Sequence, residues 1–137
     1  MNEFKPLICI PTYNEIENIG LLIPQAFNHL PNANILVIDD NSPDGTSDYV
    51  KKMAKKNKGI FVLDRQKKEG LGRAYIAGFQ WALERDYNLI FEMDADFSHD
   101  PQYLPDFIQA AQNADLIIGS RYISGVNVVN WPMSRLL

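Results

Sequence analysis

Ile35-Leu-Val-Ile-Asp-Asp-Asn-Ser-Pro-Asp-Gly-Thr46 decides the fold class. A β-branched apolar run, Ile35 to Asp39, ends in two carboxylates and a turn of Asn, Ser, Pro, Asp and Gly. That combination reads as a buried strand halted by turn chemistry. Helical spacing follows through Tyr49, Val50 and Met53 and stops near Asn57 to Gly59. Strand, polar turn and helix, in that order, form the repeating unit of a parallel sheet covered by helices.

The unit recurs in both directions. Further strands are expected at Leu7–Ile10, Ile60–Asp64, Leu89–Met93 and Leu116–Gly119. Ile16, Ile19, Ile23, Phe27 and Leu30 mark a first helix, with Asn14 as its N-cap, Glu17 three residues later, and Pro24 expected to kink or restart it. Leu71, Ala74, Tyr75, Gly78, Phe79 and Ala82 share one face of a third helix. A fourth helix begins near Pro101 and turns Leu104, Phe107, Ile108 and Ala111 inward. After Tyr122 the stretch Ile123–Leu137 has no clear period. The chain is therefore expected to be α/β, a mostly parallel sheet flanked by helices.

With 137 residues and 46% hydrophobic side chains, one domain can bury a core without disulfides. Thirteen basic against seventeen acidic residues argues against nucleic acid as a partner. The single Cys9 lies in an apolar run and reads as a small buried hydrophobe in a reducing compartment. Met1–Lys5 leads into only a short apolar stretch, so no secretory signal is expected. The uncharged Ile19–Ile38 segment is interrupted by Pro24, Pro31 and several polar residues, which disqualifies it as a membrane span.

In an open parallel sheet, ligands lie beyond the carboxyl ends of the strands. Asp94-Ala95-Asp96 follows the fourth strand, and on an extended segment residues i and i+2 point to the same side. Two carboxylates that close call for a cation or a proton between them, and Mg²⁺ or Mn²⁺ prefers such oxygen donors. Taken alone the triplet is weak, since Asp96 can equally cap a turn while Asp94 is solvated. Asp39 and Asp40 form a second acidic site on the same edge. Alternation turns one of them inward and leaves Asp40 for hydroxyl or N–H donors of a ligand, although a hydrophilic strand end reads as well.

Gly70-Leu71-Gly72 could admit a phosphate to backbone N–H groups, yet it matches neither the dinucleotide fingerprint nor the phosphate loop. Arg121 and Arg135 offer planar forks suited to phosphate, or are ordinary surface residues. His99 ranks below the aspartates as a ligand or proton carrier. Lys51, Lys52, Lys55, Lys56 and Lys58 cluster on the second helix, as a solvated face or as a contact for anionic lipid.

Taken together these segments resemble the family 2 glycosyltransferases of the A-type nucleotide-diphospho-sugar transferase fold. Within that family the chain looks most like the dolichol- or polyprenol-phosphate mannosyltransferases. The matching stretches are Ile10-Pro-Thr-Tyr-Asn-Glu15, Ile38-Asp-Asp-Asn-Ser-Pro-Asp-Gly-Thr46, Gly70-Leu-Gly-Arg-Ala-Tyr-Ile-Ala-Gly-Phe79, Met93-Asp-Ala-Asp-Phe-Ser-His99 and Gly119-Ser-Arg-Tyr122, with Asn130-Trp-Pro beyond. They run in order along almost the whole chain.

The resemblance implies that Pro11, Tyr13, Glu15, Ile38 and Asp40 hold the nucleotide and that Asp94 and Ala95 lie against the donor. It implies Asp96 as principal ligand of Mg²⁺ or Mn²⁺, with Asp94 beside it and Ser98 where some relatives carry a Gln ligand. Arg121 would contact the donor or the acceptor phosphate, and Arg135 the lipid phosphate. The implied reaction is inverting transfer of mannose from GDP-mannose to a dolichyl or polyprenyl phosphate, at the cytoplasmic face of a membrane. Alternatives are a UDP-sugar-dependent transferase and a nucleotide-sugar-binding module without turnover. The resemblance also makes residues 1–137 the donor-binding part of a longer catalytic domain whose acceptor part would follow.

Overall fold

The computed structural model describes residues 4–113, 116–119 and 126–129. It divides into two compact units, residues 1–99 and 100–137.

The first unit is built on four parallel strands: β1 (Pro6–Thr12), β2 (Asn34–Asp39), β3 (Ile60–Asp64) and β4 (Leu89–Glu92), in the spatial order β3-β2-β1-β4. Cys9 pairs with Leu36 on one side and Glu92 on the other, and Val37 with Val62. The central strands β1 and β2 are buried on both faces, which is why they read as continuous apolar runs rather than alternating ones. The order reverses after β3, so the helices α1 (Ile16–His29) and α2 (Thr46–Lys56) connect strands stepping one way, and α3 (Leu71–Leu83) connects the step back to β4. Right-handed crossovers place helices connecting opposite steps on opposite faces of the sheet.

Helix α3 sits close to the sheet because Gly78 carries no side chain. A Cβ at Gly78 would meet the Ile38 Cδ1 at 2.6 Å and the Cys9 Sγ at 3.2 Å. Leu7, Cys9, Leu36, Ile38, Ala74, Tyr75 and Ala82 form the core on this face, with Phe61, Phe79, Trp81 and Tyr87 packed around it. Cys9 is an inert part of that core, its thiol pushed up to about 12 by burial and by the nearby Glu92 carboxylate.

Three local expectations are corrected. Asn14 does not cap α1: it adopts a left-handed φ of 56°, and Glu15 stands at the N-cap position without a side-chain cap bond. The orphan N–H of Ile16 is satisfied instead by Asp44 Oδ2 at 3.2 Å, from the loop after β2. Pro24 does not start a new helix: α1 runs through it from Ile16 to His29. Leu71 opens α3 but is exposed rather than on its buried face.

The second unit contains a short 3₁₀ turn, Pro101–Tyr103, whose entry is capped by Asp100 accepting from the Gln102 N–H, then α4 (Leu104–Ala111). β5 (Leu116–Gly119) falls where expected, but it pairs antiparallel with β6 (Val126–Val129), in a two-stranded sheet of its own. Two expectations are thereby corrected: β5 lies outside the parallel sheet, and the aperiodic stretch after Tyr122 holds a strand. Val126-Asn-Val-Val129 is too short to display a period. Among the described residues, no helix is long and apolar enough to cross a membrane.

Candidate donor-binding site

A cleft of about 310 Å³ opens at the carboxyl ends of β1, β2 and β4. Pro11, Thr12, Tyr13 and Glu15 line it from the β1–α1 segment, Asp40 from the end of β2, and Asp94, Ala95 and Asp96 from the loop after β4. Lys68, Gly70, Leu71 and Ala74 close the remaining side.

The floor is set by how the first two loops are stitched together. Thr12 Oγ1 donates to Asp39 Oδ1 at 2.7 Å, and the Ser42 N–H and hydroxyl donate to the same carboxylate at 2.9 and 2.7 Å. The Asn14 N–H donates to Ser42 Oγ and the Glu15 N–H to Thr46 Oγ1. Asp39 is consumed by this structural work and is buried. Strand alternation then turns Asp40 the other way, into the cleft, where it is 6% exposed. Burial raises its pKa, an effect opposed by the Arg65 guanidinium and the Glu69 backbone N–H and reinforced by the Asp39 and Glu69 charges.

Ile38, expected beside a nucleotide, has its side chain wholly in the core under α3 and does not line the cleft. The three-residue stretch Pro11, Thr12, Tyr13 does, and Lys68 Nζ lies 4.4 Å from the centroid of the Tyr13 ring.

The acidic triplet is not extended. Ala95 and Asp96 form a turn, and Phe97 takes a left-handed φ of 66°. The turn still brings Asp94 and Asp96 to one cleft. Asp96 Oδ1 accepts the Ser98 N–H at 3.0 Å, and the Ser98 hydroxyl and N–H hold its carboxyl below the ordinary range. Asp96 is thus both turn cap and exposed, ionised carboxylate. Asp94 Oδ1 accepts from Tyr75 Oη at 3.0 Å, its N–H donates to His99 Nδ1 at 3.0 Å, and His99 Nε2 stands 3.8 Å from its Oδ2. His99 is therefore a neighbour of the acidic pair.

Among the described residues, no group of three or more His, Cys, Asp or Glu side chains could enclose a metal. One or two exposed carboxylates facing a cleft suit a hard cation that takes its remaining ligands from water and substrate phosphates, the usual habit of Mg²⁺. The donor set fits that kind of ion and not a closed protein cage. Gly70 borders the cleft with φ 101°, a conformation that favours glycine at the entry to α3. Arg121 and Arg135 lie outside the described residues.

Lys68 and Thr12 line the cleft without any sequence signal for it, and Tyr75, which does not line it, supports it through Asp94. Tyr75 was read as core, and it is buried; only its phenolic tip, reaching the loop after β4, gives it a second role. The lysines of α2 stay outside the cleft. Lys51 pairs with Asp64 at 2.5 Å, and Lys55 and Lys56 occupy the last turn, where cations complement the exposed carbonyls.

The sequence of residues 7–137 matches the family model of glycosyl transferase family 2. The chain belongs to that family. It is 50% identical to the undecaprenyl-phosphate mannosyltransferase of Micrococcus luteus over 96% of its own length and 54% of the relative's. To the polyprenol monophosphomannose synthase of Mycolicibacterium smegmatis it is 46% identical, covering 97% of this chain and 51% of the relative. The dolichol-phosphate mannosyltransferase of Pyrococcus furiosus is 40% identical over 97% of this chain and 38% of the relative. The chain thus spans about half the length, or less, of these curated relatives.

Among solved structures, the mannosyltransferase PcManGT of Pyrobaculum calidifontis, in complex with GDP-Man and Mn²⁺, superposes with TM-score 0.59 at 20% identity, over 67% of this chain and 27% of that one. S. aureus TarS residues 1–349 with UDP-GlcNAc give TM-score 0.64 at 21% identity, over 80% and 31%. The family 2 chain has the A-type nucleotide-sugar transferase fold, a parallel sheet flanked by helices.

Proposed function

We propose that this chain is the donor-binding part of an inverting glycosyltransferase that moves mannose from GDP-mannose to a polyprenyl or dolichyl phosphate. The observation that carries the reading is the single cleft that gathers Pro11, Tyr13, Glu15, Asp40, Asp94, Ala95 and Asp96 at the carboxyl ends of the strands. The names of its 40–50% identical relatives supply the sugar and the lipid phosphate.

In this reading Asp40 accepts N–H groups of the base, the Tyr13 ring offers an apolar face, and Ala95 leaves room for the sugar. Asp96, with Asp94 beside it, would hold Mg²⁺ or Mn²⁺, and Ser98 keeps Asp96 ionised for that purpose. Such a cation, when bound, offsets the charge that develops on the departing diphosphate. The acceptor phosphate is already anionic at neutral pH and needs no dedicated general base. Arg121 and Arg135 are assigned to its positioning. A lipid acceptor requires the working enzyme to meet a membrane surface.

One observation favours a second reading. Structures holding GDP-Man and UDP-GlcNAc resemble this chain to a similar degree, so the fold accommodates either base. Thermal shifts with GDP and with UDP, each with and without Mn²⁺, separate the two. A Mn²⁺-dependent shift with GDP and little with UDP is the expected result; the reverse preference overturns the GDP assignment.

A further inference from the structure

Among the described residues, two side-chain polar atoms are buried with no hydrogen-bond partner: Asp40 Oδ1 and Arg65 Nη1. They face each other at 3.7 Å, close enough for an ion pair and too far for a hydrogen bond. The Asp40 side chain is 8% exposed and that of Arg65 16%, so neither charge is satisfied by bulk water.

Arg65 is anchored on its other sides. Its Nη2 lies 2.9 Å from Glu69 Oε2, and its backbone N–H donates to the Asp39 carbonyl at 2.7 Å. Glu69 also draws Lys67 and Arg73, at 3.7 and 3.4 Å, which ties the loop between β3 and α3 to one carboxylate. Asp40 lines the donor cleft, whereas Arg65 lines a separate depression beside Asp39 and Asp64. Arg65 is not among the residues lining the donor cleft, and its guanidinium meets Asp40 from the loop that follows β3.

We propose that Arg65 is a positioning residue for the donor base: paired with Asp40 and not itself lining the cleft, it keeps Asp40 ionised and aimed, so that the carboxylate accepts an N–H edge. The proposal rests on the donor-site reading above and adds to it the group that controls its base contact. A buried carboxylate without a counter-charge takes up a proton, and a protonated carboxyl presents an O–H where the base needs an acceptor.

The charges around Asp40 leave Arg65 as its close counter-charge. Asp39 on its own strand and Glu69 on the β3–α3 loop both push its pKa upward, as does burial. Arg65 and the Glu69 backbone N–H push it down. Tyr13, Glu15, Lys68, Asp94 and Asp96 line the same cleft. Lys68, the cation among them, is placed over the Tyr13 ring.

The test compares Arg65→Gln, which keeps hydrogen-bond donors and loses the charge, with Arg65→Lys, which keeps the charge and loses the fork. In the ligand-free chain, ¹³C NMR of the Asp40 carboxyl should titrate at a higher pH in Arg65→Gln than in the wild type, and near the wild-type position in Arg65→Lys. Calorimetry with GDP and Mn²⁺ between pH 5 and 8 should show the acid limb of binding moving up by the same interval in Arg65→Gln only. An unmoved Asp40 titration in Arg65→Gln overturns the proposal, as does an affinity loss of the same factor at every pH. A wild-type chain that binds neither GDP nor UDP overturns the donor-site reading instead, while the NMR titration still decides what Arg65 does to Asp40.

Discussion

The Tyr75 hydroxyl donates to Asp94 Oδ1 at 3.0 Å, joining a core residue of α3 to the loop that follows β4. Burial and the Asp94 charge both raise the tyrosine's pKa, so the phenol stays protonated and remains a donor across the working pH range. Hydrogen bonds to charged groups contribute about 1.5–3 kcal/mol. Tyr75→Phe should leave the far-UV circular dichroism unchanged and weaken Mn²⁺-dependent GDP binding about tenfold or more by calorimetry.

Asp96→Ala should abolish the Mn²⁺-dependent part of the GDP thermal shift while the chain remains folded. Chelation of the metal in the wild type should reproduce the same loss. Full metal-dependent binding in the variant would remove Asp96 from the metal assignment.

Gly78→Ala should destabilise the fold. Its new methyl would press on Ile38 and Cys9 in a fully packed core, and overpacking of that kind costs roughly 1–3 kcal/mol. Gly72→Ala, on the same helix, meets nothing within 4 Å and should be neutral or stabilising. Urea denaturation of the two variants beside the wild type measures the difference.

Asp44 couples pH to stability. Burial is the largest single influence on its pKa and raises it, but hydrogen bonds from the Thr46 hydroxyl and from the Ile16 and Thr46 N–H groups together outweigh burial and lower it. A lowered native pKa gives stabilisation that is complete above the unfolded value, near pH 4, and is lost as pH falls through the native one. Asp44→Ala should therefore cost about 1 kcal/mol at pH 7, the usual scale for a lost helix cap. The difference between wild type and variant should shrink as pH falls below about 4; denaturation at pH 7 and at a series of acid pH values checks this.

Several elements were legible residue by residue. Ile60–Asp64 and Leu116–Gly119 coincide with their expected bounds, and the turn chemistry of Asn41–Gly45 correctly places the start of α2. Other features depend on partners far along the chain. Asn14 looked like a cap because Asn is a good one, but the N–H it would have served is taken by Asp44 across the fold. Pro24 suggests a kink or a new helix; no new helix starts there, and α1 continues past it with Leu22, Ile23 and Ala26 buried around the proline, where tertiary packing outweighs local preference.

The sequence by itself determined the alternating α/β order, the carboxyl-end placement of Asp40, Asp94 and Asp96, and the family, because apolar periodicity and turn chemistry are local properties. Only the tertiary structure decided which of those groups are free to meet a ligand. Asp39 and Asp40 are adjacent and chemically identical, but Thr12 and Ser42 claim one while Arg65 stands 3.7 Å from the other. Such partners come from other strands and loops, and a carboxylate's charge and direction are set by what surrounds it in space.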